Sequence, residues 1–577
     1  MLEVAAVFFS SFLFAHSALA DTFNQSQQYR VNSFYDISGA TSITSTVRVV
    51  GAHAYFYVDD RYWSYMTVSQ QEQFASALQT LSQQFDDVIY PRSVALWGSE
   101  ANPGVDGDAH VVIVLQRIIS GSGGYFESIH NYPIDRAPNS NAREMIFINA
   151  ESVLGGTARN YITHEFQHLI SFGQRDLTGL DGDDVWLNEA RSEYSITNAG
   201  YSVPFEASTL QRREQSFLRT PSDSLTEWPN TSSDYAIATM FAHYIADQFG
   251  AEAIASTIHS RATGTLAIED WLTTHTDKHF PGVFTDWMVA AALNDRASNV
   301  AYGYTQAGLS TMHVRPLTTL ALNDASGQVS FAASLKEWQP YWASIDVFPG
   351  YASASDVHVR IDGAPDAQWY GVAIARYQGG KMVSVPLVSV AGIAEGAIAI
   401  RSDGSTVQSV QVMLTQGMVT PITARTVLER TATVSLALGA VTAAPVLAIP
   451  PSTTPPSDIR YTRPRDGDLI RRVGQEEIYV VWGSYRRLLT TKILALYGFQ
   501  DRPVREVPDD IFFHYNASIY IRAQGAKQVY AVWSDNTKHW FDITAAQWSA
   551  SGRDWGAIFT VNDAEVAAYA TGSSITR

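Results

Sequence analysis

No cysteine occurs anywhere in the 577-residue chain. Disulfides, thiolate nucleophiles and cysteine-bound zinc are therefore all excluded. Basic residues are scarce: Lys and Arg number 39 against 57 Asp and Glu, a formal net charge of −18. No strongly basic patch interrupts that charge, which argues against non-specific nucleic-acid binding. Long hydrophobic runs are missing as well. The apolar run from Val4 to Leu19 falls short of the roughly 20 residues a membrane span needs. It leads into Ala18-Leu19-Ala20 before Asp21, the small-x-small site of a secretory signal peptide. Glu3 stands where such a leader usually carries a positive charge. The expectation is a secreted protein, with no transmembrane segment in the mature chain.

What is present is ample core material. Hydrophobic residues make up 46% and aromatics 12% of the chain, which argues against disorder and, at this length, for several domains. The local feature that decides the reading is His164-Glu165-Phe166-Gln167-His168. Residues four apart share a helix face, so the two imidazoles point the same way and can hold one zinc ion. Tyr161, Ile162, Phe166, Leu169, Ile170 and Phe172 supply an apolar stripe at helical spacing, which predicts a well-anchored helix. After 20 intervening residues comes Glu189, within Trp186-Leu187-Asn188-Glu189-Ala190-Arg191-Ser192-Glu193-Tyr194. It supplies a third ligand and leaves a fourth position for water, the pattern of a catalytic zinc. Glu165 is then the general base. Glu193, one turn after Glu189, is placed to accept the second N–H of His164 and fix its tautomer. Asp181, Asp183 and Asp184 form an acidic loop that offers a weak case for calcium.

The HEFQH and WLNEARSEY strings resemble the gluzincin metallopeptidases, the thermolysin-like group with two His and one Glu on zinc. More narrowly, the chain resembles the hyicolysin family of bacterial secreted neutral metallopeptidases. That closer likeness is carried by residues 47–60, Phe85 to Pro91, Asp106-Gly107-Asp108 with Val111 to Leu115, Gly124-Tyr125-Phe126, Glu144 to Phe147, and Asp234 to Ile245. It covers roughly residues 30–310. One departure is Ala190-Arg191, where such families more often place Gly directly after the ligand Glu. The resemblance implies an α+β zincin-type domain and a substrate-facing edge strand near 124–126 and 144–147. It also implies Tyr235 as the group that stabilises the oxyanion. His243 lies eight residues beyond Tyr235, two turns away, and is assigned to the core or groove. An inactive surface adhesin on a protease scaffold is disfavoured by the intact Glu165. An aminopeptidase is disfavoured because no Gly-x-Met-Glu-Asn-type string precedes the helix.

The remaining organisation follows composition. Residues 1–20 form the leader and 21–312 the metallopeptidase domain, with helices expected at 70–85, 157–173, 187–199, 235–249, 266–275 and 282–295. Residues 313–443 carry short Val- and Ile-rich runs between Gly, Asp and Ser turns, which predict a β-sandwich-like domain. Residues 444–464 include five prolines between 445 and 456 and read as a linker. In 465–577, Ile470, Arg471, Gly474, Tyr479, Val481 and Trp482 recur 51 positions later as Ile521, Arg522, Gly525, Tyr530, Val532 and Trp533. These are tandem repeat modules, for which attachment to the cell envelope is the expectation. Tyr569 and Ile575 to Arg577 read as the start of a third unit.

Overall fold

The computed structural model describes residues 20–576 apart from 176–178, 181, 323–326, 349–355, 366, 391, 418–428, 440–463, 465–466, 474, 483–484, 501, 503, 508–510, 513–514, 524–525, 534–535, 545–546, 549–552 and 554. Residues 1–19 of the expected leader and nearly all of the proline-rich segment lie outside the described residues. The chain divides into two compact units, Met1–Val314 and Arg315–Arg577. It is multidomain and combines helices with several β-sheets.

In the first unit one sheet runs in the order β1-β2-β3-β4-β6-β5. Its strands are β1 (Ser26–Arg30), β2 (Ser42–Val50), β3 (Ala54–Asp59), β4 (Val111–Gln116), β5 (Gly124–Tyr125) and β6 (Met145–Asn149). The inner strands β3, β4 and β6 are parallel and buried almost throughout. They read as unbroken apolar runs because both faces are covered. Tyr29, Tyr57, Val112, Val114 and Phe147 fill one face. On the other, Phe56 meets Phe85, which in turn packs on Phe166 of the helix below.

This topology corrects the expected edge strand. Of the two runs, β5 lies at an edge of the sheet, whereas β6 sits inside, between β4 and β5. The run Met145–Ile148 is apolar on both faces, which suits an interior strand and not an exposed edge.

The helices are α1 (Asp60–Tyr65), α2 (Val68–Gln84), α3 (Tyr90–Trp97), α4 (Ala158–Arg175), α5 (Val185–Asn198), α6 (Thr209–Arg219) and α7 (Ser232–Phe249), followed by others that include Gly264–His275 and Phe280–Leu293. Thr67 and Gln70 close a capping box that starts α2, satisfying backbone donors the first turn leaves unpaired. The sequence reading has no counterpart of α6, whose run TLQRREQSFLR is mostly polar and buries only Thr209, Leu210, Ser216 and Phe217. No described helix is long and apolar enough to cross a membrane.

Glu144, just before β6, is 3% exposed. Its Oε1 accepts from the Val105 N–H at 2.9 Å, and its carboxyl fills the space where any side chain at position 104 would stand. Burial pushes its pKa up to about 7, aided by Asp106 and Glu100 and opposed by the Val105 hydrogen bond. A folded pKa above the ordinary value means the fold favours the protonated acid. Stability is then highest below the unfolded pKa and falls as pH rises through the window from about 4.5 to about 7. Glu144→Gln should therefore change little at pH 4.5 and stabilise by about 3 kcal/mol at pH 8. Denaturant unfolding of both proteins at the two pH values checks this; an equal effect at both would contradict it.

The second unit contains two kinds of β structure. One sheet takes Ile393–Ala399, Asp356–Gly363, Arg430–Leu438 and Gln328–Leu335 in that order. The other takes Met382–Val388, Trp369–Tyr377, Ser405–Gln416, Tyr341–Val347 and Thr318–Leu322. Val357, Val359 and Val434 from the first sheet share one core with Trp369, Ala373, Val412 and Ile345 from the second.

The repeats fold alike. Leu469–Arg472 pairs antiparallel with Ile478–Trp482 and parallel with Val504–Val507, and Ile478–Trp482 pairs antiparallel with Tyr485–Leu489. Tyr520–Ala523, Val529–Val532, Thr537–Trp540 and Ile558–Val561 repeat each relation. Tyr569 and Ile575 do not begin a third unit. Tyr569 joins the core between the two modules, and Ile575 bridges to Phe541 of the second sheet.

A buried ion pair ties the modules together. Arg487 Nη1 lies 2.6 Å from Glu565 Oε1, and the hydroxyls of Tyr497 and Tyr569 also donate to Glu565. Removing one partner strands a buried charge at a cost of about 3–5 kcal/mol. Glu565→Ala in the full chain should accordingly produce a separate, earlier unfolding transition for this region in calorimetry. Glu565→Ala melting in step with the wild type would show that the latch contributes nothing.

Candidate metal centre

Two helices bring the three candidate ligands together. Helix α4 presents His164 and His168 one turn apart, with their Nε2 atoms 3.2 Å from each other. Helix α5 brings Glu189, whose Oε2 lies 3.1 Å from His164 Nε2 and whose Oε1 lies 3.6 Å from His168 Nε2. Among the described residues this is the one group of three side chains arranged to hold a metal ion. The donor set fits zinc. Bonds of about 2.0–2.1 Å in a tetrahedron place ligand atoms about 3.3–3.4 Å apart, close to the distances found here.

The electrostatics agree. Burial works against charge on His164, but its contacts with Glu189 and Glu193 outweigh burial and raise its pKa well above the ordinary value. Burial likewise opposes charge on Glu189, yet the two imidazoles hold it down to about 2.

Glu193 Oε1 faces His164 Nδ1 at 3.4 Å, and Arg213 from α6 grips the same carboxylate through Nη2 at 2.6 Å and Nε at 2.8 Å. Burial alone would raise the pKa of Glu193, but Arg213 and His164 carry it below the usual carboxylate range. On His168 the Nδ1 atom meets Ser192 Oγ at 3.1 Å, and that hydroxyl donates to Gln167 Oε1 at 2.6 Å. Each imidazole is thus fixed from behind, which orients its Nε2 toward the common point.

Glu165 points to the sheet edge. A Cβ at Gly124 of β5 would lie 2.9 Å from Glu165 Cγ and 2.8 Å from the Phe147 carbonyl, and one at Gly123 would strike the Tyr161 ring. These two glycines let the edge strand pass directly over α4. Burial raises the pKa of Glu165 and the imidazoles of His164 and His168 lower it, with a net shift upward.

Tyr235, in the first turn of α7, has its ring centroid 6.5 Å from that of His164. The Arg213 guanidinium lies over its face at 4.6 Å, and Trp228 packs against its edge. Burial pushes its phenol pKa up. His243 is a core residue, hydrogen-bonded to the Thr239 carbonyl and to Thr197 Oγ1.

Arg191 is fully buried and held by Asp183 at 2.6 Å and by Thr257. Asp183 also accepts from the Gly264 N–H. Its carboxylate is therefore engaged, and the calcium expectation for this loop loses one of its three ligands; Asp181 lies outside the described residues.

The sequence reading missed Arg213 and Ser192. Ser192 was open to discovery, being three residues after Glu189 on the same helix. Arg213 carried no local signal. No family model matches the chain, and no curated protein matches it.

Proposed function

We propose that the first unit is an exported zinc endopeptidase of the gluzincin type, with a zincin-like fold. The observation that carries this reading is the convergence of His164, His168 and Glu189 on one point with the Glu165 carboxylate beside it. Zinc, when bound there, supplies Lewis acidity toward a water molecule and a substrate carbonyl.

The chain's own residues do the rest. Glu165 takes the proton from the attacking water and passes it to the departing amide nitrogen. Tyr235 donates toward the oxygen on which negative charge develops. An extended peptide pairs along the outer edge of β5, in the manner of strand addition. Glu193, Arg213 and Ser192 hold the ligands in register. Export rests on the leader ending at Ala20.

Purified 21–577 should contain about one zinc per chain and hydrolyse casein, losing activity to a chelator and regaining it with added zinc. Failure to take up zinc on reconstitution would sink the reading. Zinc without hydrolysis would move the assignment to an inactive, adhesin-like scaffold. Cleavage confined to peptides with a free amino terminus would make it an aminopeptidase.

A further inference from the structure

Most of the identities between the two C-terminal modules have a packing reason. Ile470 and Ile521, Tyr479 and Tyr530, and Val481 and Val532 all sit in or against hydrophobic clusters. Trp482 and Trp533 do not: they are 57% and 47% exposed. Each stands at the end of the strand that enters the central hairpin of its module. Both modules thus present an indole to solvent at the same position of the repeat.

Trp533 is held rigidly. Its ring stacks on His539 with centroids 3.6 Å apart. His539 is 5% exposed; its Nδ1 donates to the Ser573 carbonyl at 2.7 Å, so its Nε2 accepts from the Thr537 hydroxyl, also at 2.7 Å. Behind the imidazole, a Cβ at Gly572 would come within 2.2 Å of the ring. The histidine is held through both ring nitrogens, and it supports the indole by one face while the tryptophan keeps 47% of its surface exposed. Asn536, whose N–H donates to the Trp533 carbonyl, and Ser573, whose carbonyl holds His539, are exposed and polar.

We propose that Trp533, seated on His539, and Trp482 form a binding site for a neutral polysaccharide. A pyranose presents an apolar face of weakly positive C–H groups that matches the electron-rich face of an indole. Its hydroxyl rim suits the surrounding hydroxyl and amide groups. Charge points the same way. Residues 465–577 carry 13 Lys and Arg against 13 Asp and Glu, net zero, so the −18 of the chain resides entirely in residues 1–464. A nucleic acid or an acidic lipid surface finds no net attraction there. One indole in each module suits a ligand built of repeating units, whose two contacts reinforce each other. The site is independent of any peptidase activity.

The test is co-sedimentation of the full 21–577 chain with insoluble chitin, cellulose and β-1,3-glucan, beside Trp533→Ala, Trp482→Ala and the double variant. Thermal melting confirms that each variant is folded. The wild type should sediment with at least one polysaccharide, each single variant should bind about tenfold more weakly, and the double variant should stay in solution. Soluble oligosaccharide should displace the protein and about 0.5 M salt should not. Retention by none of the three polymers, full retention of Trp533→Ala, or release by salt alone would each overturn the proposal.

Discussion

Glu165→Gln should lower kcat/KM on casein by about 10³–10⁴-fold while zinc content stays at that of the wild type. The amide keeps the size and shape of the carboxylate but cannot take a proton at neutral pH. Glu165 is 7% exposed, and burial, set against the imidazoles of His164 and His168, shifts its pKa upward. The ligand atoms belong to other residues, so the metal has no reason to leave. Loss of activity with metal retained separates proton transfer from metal binding. A variant that keeps a tenth or more of wild-type activity would assign the base elsewhere and sink the mechanism.

Arg213→Met should weaken zinc affinity by about 10–100-fold, and more at pH 6 than at pH 8. Glu193 is buried and is now shared between two cations, Arg213 and His164. With the guanidinium gone, only His164 can compensate the carboxylate, and its protonated form is favoured further. A protonated imidazole cannot ligate, so zinc must displace that proton before it binds. The sign is fixed. A raised His164 pKa makes the loss largest on the acid side and smaller as pH rises. Competition titrations against a zinc chelator at both pH values read the effect; unchanged affinity at both would show that Arg213 merely packs against Tyr235.

The part of the site that is legible in sequence is the part that is local. Four residues make just over one helical turn, so His164 and His168 share a face wherever their helix lies. The same turn relates Glu189 to Glu193, and His164 faces both. Parallel strands β3, β4 and β6 announce themselves as apolar runs, but such a run does not say which strand is outermost, and β6 lies inside the sheet where the resemblance implies an edge. The repeats were visible through a constant offset. Where a module ends was not, because Tyr569 and Ile575 match the repeat yet are used to complete the second sheet and its interface.

By itself the sequence determined the candidate metal-ligand residue types and their spacing, the absence of any thiol chemistry, the strand-rich composition beyond residue 313 and the duplication at the C-terminus. Each of these is a property of neighbours along the chain or of composition. Tertiary structure alone decided that Arg213, on a helix with little apolar signal, closes on Glu193; that two glycines carry the edge strand across Glu165; and that Trp533 lies flat on a clamped histidine. Those contacts join residues whose separation in sequence carries no periodicity. They form only when packing of the apolar faces brings distant elements to within hydrogen-bonding distance.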